Sequence, residues 1–380
     1  DAGGVRGQFS FNGARTAIPT NTASQSGIAN AFASFLLDAP SQIQRDIKVV
    51  DQPGTKHWRV FAFVQDKWQV TPKLTVDLGV RWEYYTPLVG IEDQGGLSTY
   101  NPSNNTVEVA GYGSIPQNIG VESTWTNFAP RLGASYRFDE KTVLRAGFGT
   151  TIIPFPDNEY AFNFPVKQNE QFNAPNGFAP AGSMAAGFGA PTFFPIPSNG
   201  VVDASIPQLK NAQLVNVPSD LKEAKLHSWN VAFQRQLPWN LVGEVAYVGN
   251  VGKGIVVRGW NINAGMVLGA ENAGRPLFAP YGRTANVRSF FAGDTSYNSL
   301  QAKLDRRFKN GFLITTSYTL SKGENYADEA DIATPADVER TYGPTGFNRT
   351  HAFASAFIWD LPFFKAGKEL TNRVAIYSVL

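Results

Sequence analysis

The sequence of 380 residues contains no cysteine, and this absence excludes disulfide bonds and thiolate metal sites. No segment approaches the roughly 18 consecutive apolar residues that predict a transmembrane helix. The net charge is only +2 and Lys and Arg form no run, so a nucleic-acid partner is not expected. The motifs GxSxG, HExxH and the P-loop are also missing, so we predict that the chain is not an enzyme.

Metal-binding side chains are scarce as well. The three histidines, His57, His227 and His351, lie far apart near the ends of predicted strands, which favours ordinary positions over a shared metal site. A loop at residues 328–339 is rich in Asp and Glu but lacks the regular spacing and the glycine of a calcium loop. We therefore predict a solvated acidic loop, no metal and no cofactor.

Long alternating strands are the strongest signal that the sequence does contain. The apolar side of residues 74–85 consists of Leu74, Val76, Leu78, Val80, Trp82 and Tyr84. Polar residues alternate with them, and a period of two indicates a strand. Residues 57–71 repeat the pattern, and a tight turn joins the two segments. Both are longer than the roughly 9 to 11 residues that a tilted strand needs to cross a bilayer.

The same hairpin recurs along the chain. Pairs of alternating segments at residues 128–153, 226–251 and 298–322 are joined by tight turns, and long polar connections separate the pairs. All tight turns are therefore expected at one end of the sheet and all long loops at the other. This segregation is typical of outer-membrane barrels and not of a soluble β-sandwich, which is the alternative. We predict an all-β fold, an antiparallel transmembrane β-barrel.

Two connecting segments differ from this pattern. Residues 28–37 have apolar positions at helical spacing with Pro40 just beyond, which predicts a short connector helix. Residues 154–225 are dense in Pro, Asn, Gly and Phe, and we predict one long irregular connection there, of the kind that usually signals function or disorder.

Several stretches resemble the barrel of TonB-dependent outer-membrane receptors. They are FASFLLDAPS, FAFVQDKWQVTPKLTVDLGVRWEYYTP, FAPRLGASYRF, SWNVAFQRQLP, YNSLQAKLDRRFKNGFLITTSYTLSK and FNRTHAFASAFIWDLPF. The resemblance is to the Oar-like group, whose members carry a carboxypeptidase-regulatory-like domain before the plug. It implies a 22-stranded barrel in the bacterial outer membrane that encloses an N-terminal plug and is driven by the inner-membrane TonB complex. Outer-membrane lipid would surround it.

The chain departs from that family pattern in its extent. Residues 1–380 contain no recognisable plug, no TonB box and no aromatic C-terminal closing strand, and only about 11 or 12 strands are predicted. We interpret the chain as an internal part of such a barrel. A curled open sheet is then expected instead of a closed cylinder, because closure ties strand number to tilt and shear.

Aromatic residues of the long connection are candidates for binding an external ligand. They are Phe155, Tyr160, Phe162, Phe164, Phe172, Phe193 and Phe194. Aromatic side chains line many ligand pockets, but a long loop also uses them to pack onto itself. The sequence leaves both possibilities open.

Charged residues on the polar sides of the strands are candidates for the lumen wall. They are Arg81, Glu83, Arg131, Arg137 and Arg145. Such residues either contact a plug and line a solute path, or form a solvated, salt-bridged wall. The functional hypothesis is an energy-coupled uptake receptor for an unidentified large solute. The alternative is a surface adhesion or interaction protein whose barrel is only a platform for its loops.

Overall fold

The computed structural model describes residues 6–17, 27–48, 54–155, 163–164, 167–190, 193–206, 209, 212–267, 270–309, 311–326, 338–360 and 373–379. Within these ranges, none of the helices has the length and apolar character required to span a membrane.

Strands dominate the described residues. They are β1 Gln8–Ser10, β2 Gln42–Lys48, β3 Thr55–Lys56, β4 Arg59–Thr71, β5 Leu74–Tyr85, β6 Val89–Gly90, β7 Ser98–Asn101, β8 Thr106–Val109, β9 Phe128–Arg137, β10 Thr142–Ile153, β11 Lys167–Asn173, β12 Val201–Asp203, β13 Leu214–Asn216, β14 Ala224–Leu237, β15 Leu241–Asn261, β16 Val287–Lys309, β17 Phe312–Tyr326, β18 Tyr342–Pro344, β19 His351–Asp360 and β20 Arg373–Val379. The α-helices are α1 Ile28–Leu36 and α2 Phe278–Tyr281, and 3-10 helices span Gly13–Arg15, Pro238–Asn240, Glu271–Gly274 and Val338–Thr341.

The long strands form one antiparallel sheet in the order β20-β19-β17-β16-β15-β14-β10-β9-β5-β4. Neighbours in the sheet are mostly neighbours in sequence, as expected for hairpins in series. The short strands β18 and β13 pair with β17 and β16, and β13 is the parallel one. Within the described residues the sheet does not close, because β4 and β20 remain its two ends. The predicted all-β, antiparallel fold is confirmed as a partial barrel.

Strands β1, β2 and β11 lie outside this wall. β1 and β2 pair with each other, and β11 adds to β2, in a separate three-stranded sheet. Helix α1 precedes β2, and its Phe35 ring meets Phe11 edge-on at 5.3 Å between centroids. The described wall therefore consists of ten long strands with two short ones attached.

Tight turns occupy one end of the wall, as the sequence predicts. Between β4 and β5, the hydroxyl of Thr71 accepts hydrogen bonds from the backbone N–H groups of Lys73 and Leu74. Between β9 and β10, Asp139 accepts from the N–H of Lys141 at 2.7 Å. Between β16 and β17, Gly311 has φ +76°, a left-handed conformation that glycine adopts at little cost.

One face of the wall is apolar and exposed. Val231, Tyr247, Leu300 and Leu320 are direct partners in a row across β14, β15, β16 and β17, and each is 39% to 50% exposed. Because side chains alternate along a strand, this register places the apolar set of every strand on the same side. A largely apolar exposed face is the lipid-facing surface expected of a membrane barrel. We call it the outer face and the opposite side the lumen face.

Two predictions about the connections are wrong. Residues 154–225 are not irregular throughout, since they contain β11, β12 and β13. β15 continues to Asn261 and β16 begins at Val287, so these strands are much longer than the predicted segments ending at residue 251 and beginning at residue 298. Pairing shifts after Gly252 and after Val257 explain the error in β15, because each shift inserts an extra residue in that strand and breaks the alternation from which it is read.

Candidate functional site

The long connections fold into a packed unit beyond the loop ends of the strands. We call the described residues of 88–127, 193–221 and 262–290 the loop layer. Strands β7, β8 and β12 form a small sheet in it, and β13 pairs with the start of β16. Its main core consists of Tyr100, Val107, Val109, Phe164, Val202, Ala204, Leu209, Leu214 and Val287, with Phe164 contributed by a neighbouring segment. The largest buried apolar clusters of the described residues thus lie in the loops, which is expected because the wall is one sheet with lipid on one side.

Arg283 joins three segments of the loop layer. Its side chain is 0% exposed, and its two terminal nitrogens donate to the carbonyls of Ala204 at 3.4 Å, Leu209 at 3.2 Å and Ala212 at 2.7 Å. Its Cζ lies 5.2 Å from the ring centroid of Tyr100, a cation–π contact. The planar guanidinium presents five N–H donors in fixed directions, and this geometry allows one residue to satisfy several carbonyls.

Burial dominates the electrostatics of this pair. It lowers the pKa of Arg283, which the nearby Tyr100 partly opposes, and it raises the pKa of Tyr100 to about 12. Both directions follow from the cost of a charge in a medium of low dielectric constant. The Tyr100 hydroxyl stays neutral at ordinary pH and donates to the side-chain oxygen of Asn105 at 2.9 Å.

The predicted ligand-binding aromatics occupy different environments. Phe164 is only 6% exposed, and its ring lies 5.9 Å from that of Phe194, which packs against the same core. Phe155 packs against a second cluster that includes Leu88, Leu97, Val217 and Phe290.

Two of these aromatics are accessible. Phe193 and Phe172 are each 52% exposed, and Phe172 lies on β11 in the separate sheet. Tyr160 and Phe162 lie outside the described residues. Of the five described, the structure brings together Phe164 and Phe194, in the core. Ligand binding by these aromatic residues stays a prediction. Phe193 and Phe172 are the members of the described set whose rings are accessible to a ligand.

An ion pair lies at the loop end of β5, among the residues predicted to line the lumen. Glu83 is 2% exposed, and its carboxylate accepts from Nε of Arg81 at 2.7 Å and from the hydroxyl of Tyr85. The Arg81 guanidinium also lies 5.0 Å from the ring centroid of Phe61. Pairing to a cation and to a hydroxyl is what a buried carboxylate requires.

The other three predicted lumen residues lie on the neighbouring strands β9 and β10. Arg145 approaches Glu244 at 3.8 Å, and Arg137 donates to the carbonyl of Pro72 in a tight turn. Arg131 lies six residues before Arg137, a separation of roughly 20 Å along a strand. Arg145 is the direct partner of Ser135 and therefore lies diagonally beside Arg137, and Arg131, which faces Gly79, lies diagonally beside Arg81. Among the five predicted residues, the contact that the structure shows is the ion pair of Arg81 and Glu83. Contact of these residues with a plug or a solute stays a prediction.

Sequence reasoning missed two buried polar groups. One is Arg283. The other is the pair Asn127 and Glu223, 0% and 7% exposed, in which the amide nitrogen donates to the carboxylate at 3.2 Å. Both sites join segments far apart in the chain, so no local spacing or alternation could have indicated them.

Metal-binding residues do not converge in the described part of the chain. No group of three or more His, Asp or Glu side chains there could hold an ion. His227 is hydrogen-bonded to the hydroxyl of Thr150 at 3.0 Å, and His351 to that of Tyr318 at 2.8 Å. Most of the acidic loop, residues 327–337, lies outside the described residues, so its solvated character stays a prediction.

The contact between Asp38, two residues beyond the end of α1, and residues 183–185 is expected to depend on pH. Its carboxylate accepts from the Ser183 hydroxyl and from the N–H groups of Met184 and Ala185, and these hydrogen bonds lower its pKa. Because the pKa of Asp38 is lowered in the folded protein, its ionised carboxylate stabilises the fold. This stabilisation is fully present above the pKa of an unfolded Asp, near 3.9, and is lost as pH falls through the lower pKa of the folded state. We expect amide exchange at Met184 to accelerate over that window.

The matched control for Asp38 is internal to the same region. The amide of Ala181 donates to the carbonyl of Pro40 at 2.9 Å and does not contact Asp38. Its protection should not follow the same pH curve. In Asp38→Asn, exchange at Met184 should be faster at neutral pH and lose the acid transition, and a transition that persists in the variant would show that another group titrates.

A family model described as the outer membrane beta barrel domain matches residues 1–379. No curated protein matches the sequence.

Solved outer-membrane receptors are similar at low identity. The ferripyoverdine receptor of Pseudomonas aeruginosa is 9% identical with a TM-score of 0.43, over 90% of this chain and 29% of the receptor. The FrpB iron transporter of Neisseria meningitidis is 9% identical with a TM-score of 0.39, over 93% and 36% of the two chains. The alcaligin receptor FauA of Bordetella pertussis is 11% identical with a TM-score of 0.38, over 90% and 38%. The chain thus spans 29% to 38% of the length of these structures.

Proposed function

The chain belongs to the outer membrane beta barrel domain family, and on this premise we propose that it forms the wall and the loop layer of a TonB-dependent uptake receptor. Membership of this family places the chain in the bacterial outer membrane and agrees with the expectation that it is not an enzyme. The solute would be large, and its identity is not indicated by the residues. Within the receptors, the matching stretches favour the Oar-like group.

The observation that carries the proposal is the unequal construction of the two ends of the wall. Tight turns close one end, whereas the other carries a loop layer with its own buried core. Short periplasmic turns and long extracellular loops are typical of outer-membrane barrels. A folded layer of this size is a preformed surface on which a solute could be captured before it enters the lumen.

Four glycines lie close together on the lumen face, where the proposed plug would be enclosed. Gly133 and Gly147 are direct partners on β9 and β10, and Gly79 and Gly149 both face Arg131 on either side of it. Glycine inside a strand often marks a place where another backbone approaches closely. A Cβ at Gly147 would meet the side-chain oxygen of Asn230 at 2.6 Å, and one at Gly133 would meet the Cβ of Asp77 at 3.3 Å. Side chains of neighbouring strands therefore cover these glycines, and a plug would contact those side chains.

The test is whether the full-length protein engages the TonB system. Purified periplasmic TonB domain is the probe, and we expect it to bind the full-length protein and not a variant from which the segment preceding the plug has been deleted. Cells should also deplete a compound from their medium only when both the gene and an active TonB complex are present. A protein that neither binds TonB nor changes the medium, but still mediates cell attachment, would be the adhesion platform of the alternative hypothesis.

A further inference from the structure

A groove crosses the outer face near the tight-turn end of β14, β15, β16 and β17. Two adjacent rows of direct partners form it. The row nearer the turns is Arg235, Gly243, Leu304 and Thr316, and the next row is Phe233, Val245, Ala302 and Tyr318. The volume is about 380 Å³, within the range of small-molecule pockets.

Small residues make the floor of this groove and large ones make its walls. Gly243 and Ala302 are diagonal neighbours in the two rows, so neither carries a large side chain where they meet, and Cδ1 of Leu237 lies 3.2 Å from the Cβ position of Gly243 at its edge. Phe233, Val245 and Tyr318 stand around them and are 43%, 51% and 40% exposed. An apolar chain lying over the small pair would be in contact with side chains on both sides.

Two cations stand at the turn end of the groove. Arg235 directly faces Gly243, is exposed, and donates to the hydroxyl of Thr142 at 3.4 Å. Arg306 follows Leu304 on the same face one row nearer the turns, and its buried Nε has no hydrogen-bond partner among the described residues.

The acidic groups near these cations are already engaged or lie on the other face. The oxygens of Asp139 accept from the N–H of Lys141 and the hydroxyl of Thr142, and the pKa of Asp139 is lowered by the hydrogen bond from Lys141 and also by Arg235. Asp305 pairs with Lys303 at 2.8 Å on the lumen face. At the turn end of the groove, the two cations Arg235 and Arg306 thus stand against one ionised carboxylate, Asp139, and the sum of these three charges is positive.

We propose that this groove binds one anionic phospholipid of the periplasmic leaflet. Its phosphate contacts Arg235, with Arg306 nearby, and one acyl chain lies over Gly243 and Ala302 towards Tyr318. The direction fits the membrane, because the tight-turn end is the periplasmic end and the headgroup of that leaflet faces the periplasm. Arginine near a membrane surface attracts anionic lipid, and its guanidinium pairs with phosphate. The site does not depend on whether the protein is an uptake receptor.

The experiment measures lipid that stays on the full-length protein in mild detergent. Native mass spectrometry would be recorded after incubation with phosphatidylglycerol or with phosphatidylcholine of the same acyl chains. We expect one retained lipid and a preference for phosphatidylglycerol. Arg235→Gln should lower that preference about fivefold, because one cation near a lipid surface is worth about 1 kcal/mol. Gly243→Leu should reduce retention of both lipids, because its side chain fills the floor.

Matched variants separate the groove from general effects. Arg145→Gln removes an arginine from the lumen face, and Ala146→Leu enlarges an exposed residue of the neighbouring strand β10 outside the groove. Both should retain lipid like the native protein, and each variant would be checked for folding by its electrophoretic mobility before and after heating. Equal retention of the two lipids by the native protein would overturn the proposal. So would native-like retention in both groove variants, or an equal loss in Ala146→Leu.

Discussion

Replacing Val80 with arginine is expected to leave most of the protein unassembled in the membrane. Val80 lies near the middle of β5 on the outer face, is 37% exposed, and has Val64 and Pro130 as its direct partners. An arginine facing lipid at the bilayer midplane costs about 2–4 kcal/mol. That is a large fraction of the roughly 5–15 kcal/mol by which folded domains are stable. The measurement is the fraction of protein that resists protease and shows heat-modifiable mobility after assembly into vesicles.

A charge on the opposite face provides the matched control for Val80→Arg. Gln65 is adjacent to Val64 in sequence, and its Cγ lies 3.3 Å from the Cβ position of Gly79, so it shares the lumen face. Gln65→Arg places the same charge at nearly the same depth without exposing it to lipid, and exposed surface changes are usually within about 0.5 kcal/mol. It should assemble like the native protein. Equal assembly of both variants would show that the outer face does not meet lipid.

The wall could be predicted from the sequence because lipid on one side imposes a pattern on every strand. Leu78, Leu132 and Phe148 belong to the apolar sides inferred from alternation alone, and they are direct partners across β5, β9 and β10. A slip by one residue would turn each apolar set towards the lumen, so alternation specifies both the strand and its register. The hairpin turns were readable for the same reason, since each lies between two alternating segments.

The loop layer could not be predicted because its structure depends on contacts between distant segments. β12 and β13 have three residues each, too few for a period of two to be recognised. Asn163 shows why the neighbouring Phe164 was ambiguous. Its amide donates to the carbonyls of Ser98 at 2.9 Å and Val215 at 3.0 Å, and these bonds hold that segment against the core. Nothing near Phe164 in sequence distinguishes this buried position from an exposed one.

Arg283→Met is expected to destabilise the loop layer by about 3 kcal/mol while the wall stays folded. The substitution removes the donors of three carbonyls, and a buried polar group left without a partner costs about 1–3 kcal/mol. Part of this cost is offset because a buried cation no longer has to be desolvated, so the estimate lies at the lower end of the sum. The measurement is hydrogen exchange at Val109 and Ala110, whose amides donate to Gly200 and Leu97. Exchange should be roughly a hundredfold faster.

Two further variants decide whether the loop layer is stabilised by the donor geometry of Arg283 or only by its charge. Arg283→Lys keeps the cation but has no fork of donors, so it should protect Val109 only partly. Arg288→Met removes an exposed arginine at the start of β16 and should leave exchange unchanged. Native-like exchange in Arg283→Met would mean that apolar packing alone holds the layer. A loss confined to the loop layer would instead show that one buried guanidinium joins connections that the wall does not hold together.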